Sequence, residues 1–337
     1  MRIGQVIDLF PLDEQVYITG HVHPDGDCLG ATLGLGRILT KLGYQVQVIL
    51  EEAPEKYAYL TGHNQIVDLA KYQKTKEKMI SKPYNLIIMD SGDLTRIEPF
   101  MDLFSYAKKH INIDHHVSNT HFAHYNYVYD HASSTCEIVG QMLGMHLDDL
   151  DFQEYRGLLD EELAACLYTG LIYDTGIFKH DNTTSDTHRI AARLVGTGVD
   201  YTSITNRLFF TRSKKAIKAM EIALNHLVIH EAYSLSSTII SYKDLQENAL
   251  EKGDTEGVVS MLSEIEDVLV SVFFLELAPD QFKVSFRSNS TIDVCEIAKK
   301  FKGGGHVKAS GCSINGDYQT IHTLVVEELK KSYERHY

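Results

Sequence analysis

Short apolar runs alternate with longer segments of mixed polarity in the first part of the chain. The runs predict strands over residues 15–20, 45–50, 85–89 and 110–113, and the helical spacing of apolar residues predicts a helix over residues 29–42. Strands that alternate with helices in this way are typical of an α/β fold, in which crossover helices join and flank a parallel sheet. We therefore expect such a sheet in the N-terminal part.

The pattern changes in the second half of the chain. After predicted helices at 161–171 and 185–195, residues 201–230 are expected to be helical. Strand-like runs at 236–242, 268–277 and 282–287 follow, with a helix over 294–301, a glycine-rich turn, a strand near Cys312 and a terminal helix. The resulting hypothesis is an N-terminal domain over 1–197, a helical connector over 198–230 and a smaller α/β domain over 231–337.

The composition fits two globular domains and excludes some partners. The chain has 337 residues, and its 44% hydrophobic and 23% charged content argues against a mainly disordered protein. A formal net charge of −14 disfavours a broad basic face for long duplex nucleic acid, because such binding depends on neutralising many phosphates.

The five cysteines are scattered and include no C-x-x-C pair, so neither a disulfide framework nor a zinc knuckle is indicated. With no long apolar segment for a membrane span, we expect a soluble cytoplasmic protein.

Polar clusters follow three of the predicted strands. They are H-V-H-P-D-G-D from His21, D-S-G-D from Asp90 and D-H-H from Asp114. Because the carboxyl ends of strands form the ligand crevice in open α/β sheets, these distant segments are expected to converge.

Each cluster alone has a simpler interpretation, since Asp-Gly turns and helix-capping aspartates are common. Together, the imidazoles and carboxylates favour a site for two divalent ions roughly 3.5–4 Å apart, as in enzymes that act on phosphate esters. The candidate ligands from the residue pattern are His21, Asp25, Asp27, Asp90, Asp114, His115, His116 and Asp174.

The same segments resemble a known family. H-V-H-P-D-G-D, I-I-M-D-S-G-D, N-I-D-H-H-V-S-N and Y-D-T-G-I-F are similar to four successive motifs of the DHH phosphoesterase superfamily. R-S and G-G-G-H-V-K-A-S-G are similar to its DHHA1 substrate-binding domain. The order and spacing of the motifs most resemble those of the nanoRNase and pAp-phosphatase branch. Two positions differ from that branch: His23 stands where members often carry Asn or Arg, and Ala31 stands where they often carry Ser.

The resemblance implies a role for each residue. One Mn²⁺ would be held by His21, Asp25 and Asp90, and a second by Asp27, Asp90, His115 and Asp174, with Mg²⁺ or Co²⁺ as alternatives. His116 would face the phosphate as a catalytic residue, and Asp114 would orient a neighbouring histidine. In the second domain the implied substrate-binding residues are Arg287, Ser288, Gly303, Gly304, Gly305 and His306.

The implied function is hydrolysis of very short oligoribonucleotides to 5′-mononucleotides and dephosphorylation of 3′-phosphoadenosine 5′-phosphate (pAp). The expected partners are short single-stranded RNA or small nucleotides, and neither long nucleic-acid duplexes nor membranes are expected to bind. A homodimer is a possible assembly. Cleavage of cyclic or linear dinucleotides such as pApA is the close alternative. Inorganic pyrophosphatase, processive DNA exonuclease and non-catalytic nucleotide-binding regulator are the remaining hypotheses.

Overall fold

The computed structural model describes residues 2–147 and 153–336. The chain forms two compact units, Met1–Thr211 and Arg212–Tyr337. The three-part division at residues 197 and 230 stays a prediction. None of the helices within the described residues is both long enough and apolar enough to cross a lipid bilayer.

A five-stranded sheet organises the first unit and confirms the predicted α/β fold. Its strands run parallel in the order β2-β1-β3-β4-β5, and β3 is buried along its whole length. Burial on both faces explains why β3 is an almost continuous apolar run. The strands are β1 (Gln15–Thr19), β2 (Gln45–Val48), β3 (Tyr84–Met89), β4 (Lys109–Asp114) and β5 (Tyr125–Val128).

Helices surround this sheet, and one hydrophobic core lies against each of its faces. The α-helices are α1 (Ile3–Ile7), α2 (Gly26–Lys41), α3 (Leu69–Ile80), α4 (Met101–Tyr106), α5 (Thr135–Met142), α6 (Glu161–Asp174), α7 (Ser185–Val195) and α8 (Tyr201–Thr205). Shorter turns are the 3₁₀ segments Glu55–Tyr57, His63–Gln65, Leu94–Phe100 and Gln153–Leu158, and the π-helix Asn206–Phe210.

Helices α2 and α6 pack backbone against backbone through glycines. A Cβ atom at Gly30 would overlap the carbonyl oxygen of Cys166, and one at Gly170 would overlap the Asp27 carboxylate. The helices are antiparallel, because Gly26 of α2 faces Tyr173 near the end of α6. The start of α2 therefore lies beside the end of α6.

The second unit contains a six-stranded mixed sheet in the order β10-β11-β9-β8-β7-β6. Its faces carry separate hydrophobic cores. The strands are β6 (Val228–His230), β7 (Leu235–Ile240), β8 (Val270–Ala278), β9 (Gln281–Ser288), β10 (Gly304–His306) and β11 (Ala309–Asn315). The helices are α9 (Lys214–Asn225), α10 (Tyr242–Glu247), α11 (Val258–Leu262), α12 (Val294–Lys300) and α13 (Tyr318–His336), with 3₁₀ turns Glu231–Tyr233 and Lys252–Thr255.

Two segments differ from the sequence prediction. The helical stretch expected up to residue 230 ends at Asn225, and β6 follows because Val228, Ile229 and His230 pair with β7. The glycine-rich turn is partly a strand, because β10 pairs with β11. Both differences arise from strand pairing, which local residue patterns do not report.

Candidate active site

The predicted site residues of the first unit lie at one edge of its sheet. His21 follows β1, Asp90 follows β3, and His115 and His116 follow β4. These three strands are adjacent and parallel, so their carboxyl ends meet. The contact between α2 and α6 adds three carboxylates, since Asp25 caps α2, Asp27 lies in its first turn and Asp174 ends α6.

His21 faces two carboxylates through a single ring nitrogen. Its Nε2 lies 3.4 Å from Asp90 Oδ2 and 3.8 Å from Asp25 Oδ1. Its Nδ1 lies 2.8 Å from the carbonyl oxygen of Val22, to which it donates. This hydrogen bond keeps a proton on Nδ1, so Nε2 is the nitrogen that faces the carboxylates and that can bind a metal ion once it has lost its own proton.

His115 makes the corresponding arrangement on the other side of Asp90. Its Nε2 lies 3.1 Å from Asp174 Oδ2 and 3.5 Å from Asp90 Oδ1. Ligand atoms of Asp27, His115 and Asp174 all lie within 4.8 Å of one another. Asp90 therefore presents one oxygen to each histidine, which is the position of a ligand that two ions could share.

The charges of these buried groups perturb one another strongly. Burial raises the pKa of the Asp27 carboxyl well above its usual range, and the negative charges of Asp90 and Asp174 raise it further. Burial also raises the pKa of Asp174, to about 6, although its hydrogen bond with His115 acts in the opposite direction. Crowded carboxylates with raised pKa values are stabilised by bound protons or cations.

The imidazoles respond in the opposite sense. Burial lowers the pKa of His21, but the hydrogen bonds and charges of Asp25 and Asp90 outweigh burial and raise it to about 10. In His115, burial is likewise outweighed, chiefly by Asp174 and Asp90, and the pKa rises to about 10. Burial alone would raise the pKa of Asp90, but the neighbouring histidines lower it.

The structure adds a contact at Asp27 that the sequence analysis missed. The Asp27 carboxylate accepts hydrogen bonds from the backbone N–H groups of Thr135 (2.6 Å) and Cys136 (2.9 Å), at the start of α5. The Thr135 hydroxyl also donates to Asp90 Oδ1 at 3.1 Å. The S-T-C-E pattern from Ser134 to Glu137 is a helix-start signal that could have identified this helix.

His116 lies at the rim of the cluster, where its Nδ1 is 3.7 Å from Asp90 Oδ1, and belongs to a further hydrogen-bonded chain. Its Nδ1 donates to Asp114 Oδ1 at 2.6 Å, and Asp114 Oδ2 accepts from Asn119 Nδ2, also at 2.6 Å. The Asp114 side chain is 0% exposed, whereas that of His116 is 40% exposed. The hydrogen bond that His116 donates to Asp114 is the main cause that raises the pKa of His116. A fixed imidazole with an accessible edge is suited to contact a ligand.

Two more side chains lie near the cluster. Cys28, which the sequence analysis did not select, has its Sγ within 4.8 Å of ligand atoms of His21 and Asp90. The side chain of His23 is 82% exposed and points away from the cluster. Its Nδ1 lies 3.2 Å from Glu51 Oε2.

The donor set suits divalent cations. The buried imidazole of His21, the partly buried imidazole of His115 and four carboxylates converge, and both Nε2 atoms face carboxylate oxygens instead of backbone carbonyls. This mixture of nitrogen and oxygen ligands fits Mn²⁺ and similar ions. The residues that could hold such ions are His21, Asp25, Asp27, Asp90, His115 and Asp174.

In the second unit, strand register places Arg287 and His306 on one face of the sheet. Ala309 of β11 pairs with both residues, which lie on the strands to either side. Gly304 pairs with Gly311 one step along the same face. A Cβ atom at Gly303 would overlap β11, whereas Gly304 has open space around it.

Ser288 lies on the opposite face from Arg287, since successive residues of a strand alternate. It is 5% exposed, and its Oγ lies 3.3 Å from Ser290 Oγ. Gly305 has a positive φ of 141° and pairs with Ser310. The roles of all six substrate-binding candidates stay predictions.

Known proteins match both units. The family model described as "DHH family, N-terminal domain" matches residues 15–171, and the model described as "DHHA1 domain" matches residues 236–334. The chain is 31% identical over 326 residues to the bifunctional oligoribonuclease and PAP phosphatase NrnA of Thermus thermophilus. That alignment covers 95% of this chain and 90% of the relative.

Solved structures show the same fold. The crystal structure of an exopolyphosphatase-related protein from Bacteroides fragilis superposes with a TM-score of 0.85 at 26% identity, over 96% of this chain and 93% of that chain. RecJ from Thermus thermophilus, solved in complex with Mn²⁺, has a TM-score of 0.53 at 14% identity, over 95% of this chain and 52% of that chain.

Proposed function

Because the chain belongs to the DHH family of phosphoesterases, we propose that it hydrolyses very short oligoribonucleotides to 5′-mononucleotides and dephosphorylates pAp. The chain is a hydrolytic enzyme of that family, and the named relative supports these substrates. The observation that carries the proposal is the buried cluster in which Asp90 presents one oxygen to His21 and the other to His115.

Under this proposal two divalent ions occupy the cluster. His21, Asp25 and Asp90 hold one ion, and Asp27, Asp90, His115 and Asp174 hold the other, with Mn²⁺ preferred and Mg²⁺ or Co²⁺ as alternatives. When bound, such ions activate water and offset negative charge on the phosphate. The start of α5 keeps Asp27 oriented by donating two N–H groups to its carboxylate.

His116 and Asp114 carry the proton chemistry of the proposal. The Asp114 carboxylate holds the proton on His116 Nδ1, so that the exposed edge of the ring can face the phosphate. From there His116 stabilises developing charge or protonates the leaving oxygen. Asn119 fixes Asp114 in turn, because its amide donates to the second carboxylate oxygen.

The second unit binds the part of the substrate that does not react. Arg287 and His306 share one sheet face with Gly304, which leaves room for a ligand close to the backbone. The guanidinium can bind a phosphate through two parallel hydrogen bonds, and an imidazole can donate to phosphate or stack on a base. Gly303 and Gly305 complete this part of the proposal, whereas the side chain of Ser288, on the opposite face of the sheet, would act only through its place in β9 next to Arg287.

We further propose that the protein works in a reducing compartment and does not bind long nucleic-acid duplexes. The basis of this proposal is the set of buried free cysteines, Cys28, Cys136, Cys166, Cys295 and Cys312, together with the net charge of −14. A homodimer is one option for the assembly, and sedimentation of the purified protein measures it directly.

A substrate panel with Mn²⁺ tests the proposed function. It compares kcat/KM for RNAs of two, about five and about twenty-four nucleotides with kcat/KM for pAp, pApA, cyclic di-AMP and pyrophosphate. We expect the highest values for the shortest RNAs and pAp, and a decline beyond about five nucleotides. Equal values for dinucleotides and twenty-four-mers would indicate a general exonuclease, and a preference for cyclic di-AMP or pyrophosphate would replace the proposed substrates.

A further inference from the structure

The sheet face that carries Arg287 continues along β9 beyond this residue. Strand alternation places Lys283 and Ser285 on the same face as Arg287. The paired residues of β11 on this face are small, namely Gly311 opposite Ser285 and Ser313 opposite Lys283. The β11 side of this face therefore consists of small residues, whereas the β8 side carries Phe273 and Leu275, which pair with Ser285 and Lys283. Arg287 lies at one end of the face and Lys283 at the other.

Lysines surround the end of this face at which Lys283 lies. Lys252, Lys283 and Arg287 line a cavity of about 260 Å³, and Lys252 and Lys283 also line an adjoining depression together with Lys302 and Gly303. Among the described residues, the depression has no aspartate or glutamate in its lining. In a chain with a net charge of −14, this is a local reversal of sign.

The four cations lack acidic partners. Within residues 2–147 and 153–336, none of Lys252, Lys283, Arg287 and Lys302 forms a salt bridge. Glu256 also lines the cavity and forms no salt bridge with these cations, although its charge acts on Lys283. Burial, followed by the charge of Lys252, lowers the pKa of Lys283. An anion between these lysines would relieve their mutual repulsion.

We propose that Lys252, Lys283 and Lys302 form a second phosphate subsite, which extends the substrate surface from Arg287 along β9. The inference rests on the proposed function and makes it more specific. Lys283 and Arg287 are four positions apart, or roughly 13 Å along an extended strand. A ligand that contacts both must carry phosphates that are separated by a comparable distance. The 3′- and 5′-phosphates of pAp flank a single nucleoside and are closer together than this, whereas the phosphates of an oligoribonucleotide of at least three nucleotides can span it. The subsite distinguishes such RNAs from pAp.

The test removes two charges and compares ligands of different length. The double variant Lys252→Gln/Lys283→Gln is assayed on a 5′-phosphorylated triribonucleotide and on pAp, with Mn²⁺. We expect KM for the trinucleotide to rise about tenfold with kcat unchanged, whereas KM for pAp changes less than about twofold. The salt dependence of the trinucleotide KM should also weaken, because each lysine–phosphate contact contributes a slope of about 0.7 for single strands.

Two further variants control the result. Lys331→Gln on α13 removes a lysine that is bonded to Glu328 and lines neither cavity, and it should leave both KM values unchanged. Lys302→Gln alters an exposed turn residue and should raise KM for the trinucleotide about threefold. An equal rise in KM for the trinucleotide and pAp, or no rise for either, would overturn the subsite.

A binding measurement separates this inference from the proposed activity. Fluorescence anisotropy with a labelled 5′-phosphorylated triribonucleotide is recorded in EDTA, which keeps the RNA intact. Weaker binding by the double variant, with no turnover by the wild type in Mn²⁺, would support the subsite and refute the proposed function. Equal affinities for variant and wild type would refute the subsite whatever the turnover.

Discussion

We expect Asp114→Asn to lower kcat strongly without removing metal from the protein. Asp114 Oδ2 accepts a hydrogen bond from the amide of Asn119, so an asparagine would keep its oxygen in that position. Its NH₂ group would then face His116 Nδ1, which donates to the carboxylate in the native arrangement. Two donors cannot pair, so Nδ1 must become an acceptor, and the ring is fixed as the neutral Nε2–H tautomer.

The magnitude follows from the bond that is lost. The hydrogen bond between Asp114 and His116 is 2.6 Å long, and the Asp114 side chain is 0% exposed. Hydrogen bonds to charged groups contribute about 1.5–3 kcal/mol. If this stabilisation acts on the transition state, its loss lowers kcat by about 10- to 150-fold.

The assay separates this role from metal binding. Asp114 belongs to none of the potential metal-binding groups found among the described residues, so metal content by mass spectrometry should match the wild type. The matched control is Asp102→Asn, a partly exposed aspartate bonded to Lys76, which should keep full activity. A kcat within about threefold of wild type, or the loss of a metal equivalent, would refute the reasoning.

Three further outcomes are expected. Asp90→Asn should abolish turnover and bound metal while the circular dichroism spectrum is preserved, and activity within threefold of wild type would exclude the shared-ligand role. At pH 8, Mn²⁺ binding should release protons from His21 and His115, because the neighbouring carboxylates raise the pKa of each imidazole to about 10 and a metal ion needs the deprotonated nitrogen. Calorimetry in buffers of different ionisation enthalpy measures this release, and its absence would contradict the reasoning. Arg287→Ala should raise KM for pAp about 10- to 150-fold but leave cleavage of bis-p-nitrophenyl phosphate unchanged; equal slowing of both would place Arg287 in the catalytic centre or the fold.

The predictable parts of the fold are the segments in which the local pattern of apolar and polar residues matches the burial of their side chains. β3 lies in the centre of a parallel sheet, so its sequence is an apolar run that ends abruptly at Asp90. In the neighbouring β4 the isoleucines Ile111 and Ile113 precede Asp114. The polar residues after these runs therefore indicated both the strand ends and the site. His21 and His115 could be selected for the same reason, whereas Asp174 was selected at the end of a predicted helix.

Other parts depend on contacts between segments distant in sequence. β5 is an edge strand with half-buried side chains, so Y-N-Y-V lacks a clear apolar run. The link from Asp27 to Thr135 spans 108 positions, and its donors are backbone N–H groups, which side-chain patterns do not report. In the second unit, the common face of Arg287 and His306 depends on the pairing of three strands.

The glycine contact between α2 and α6 also determines where the chain can tolerate an inserted residue. Asp174 follows Gly170 by four positions, about one helical turn, and so lies on the side of α6 that faces α2. One residue inserted between them would rotate the Asp174 carboxylate by about 100° around the helix axis, away from His115. The same insertion in the turn after Asp174 would leave that carboxylate in place. Around Asp174, the chain can therefore change in length only in the turn that follows this residue.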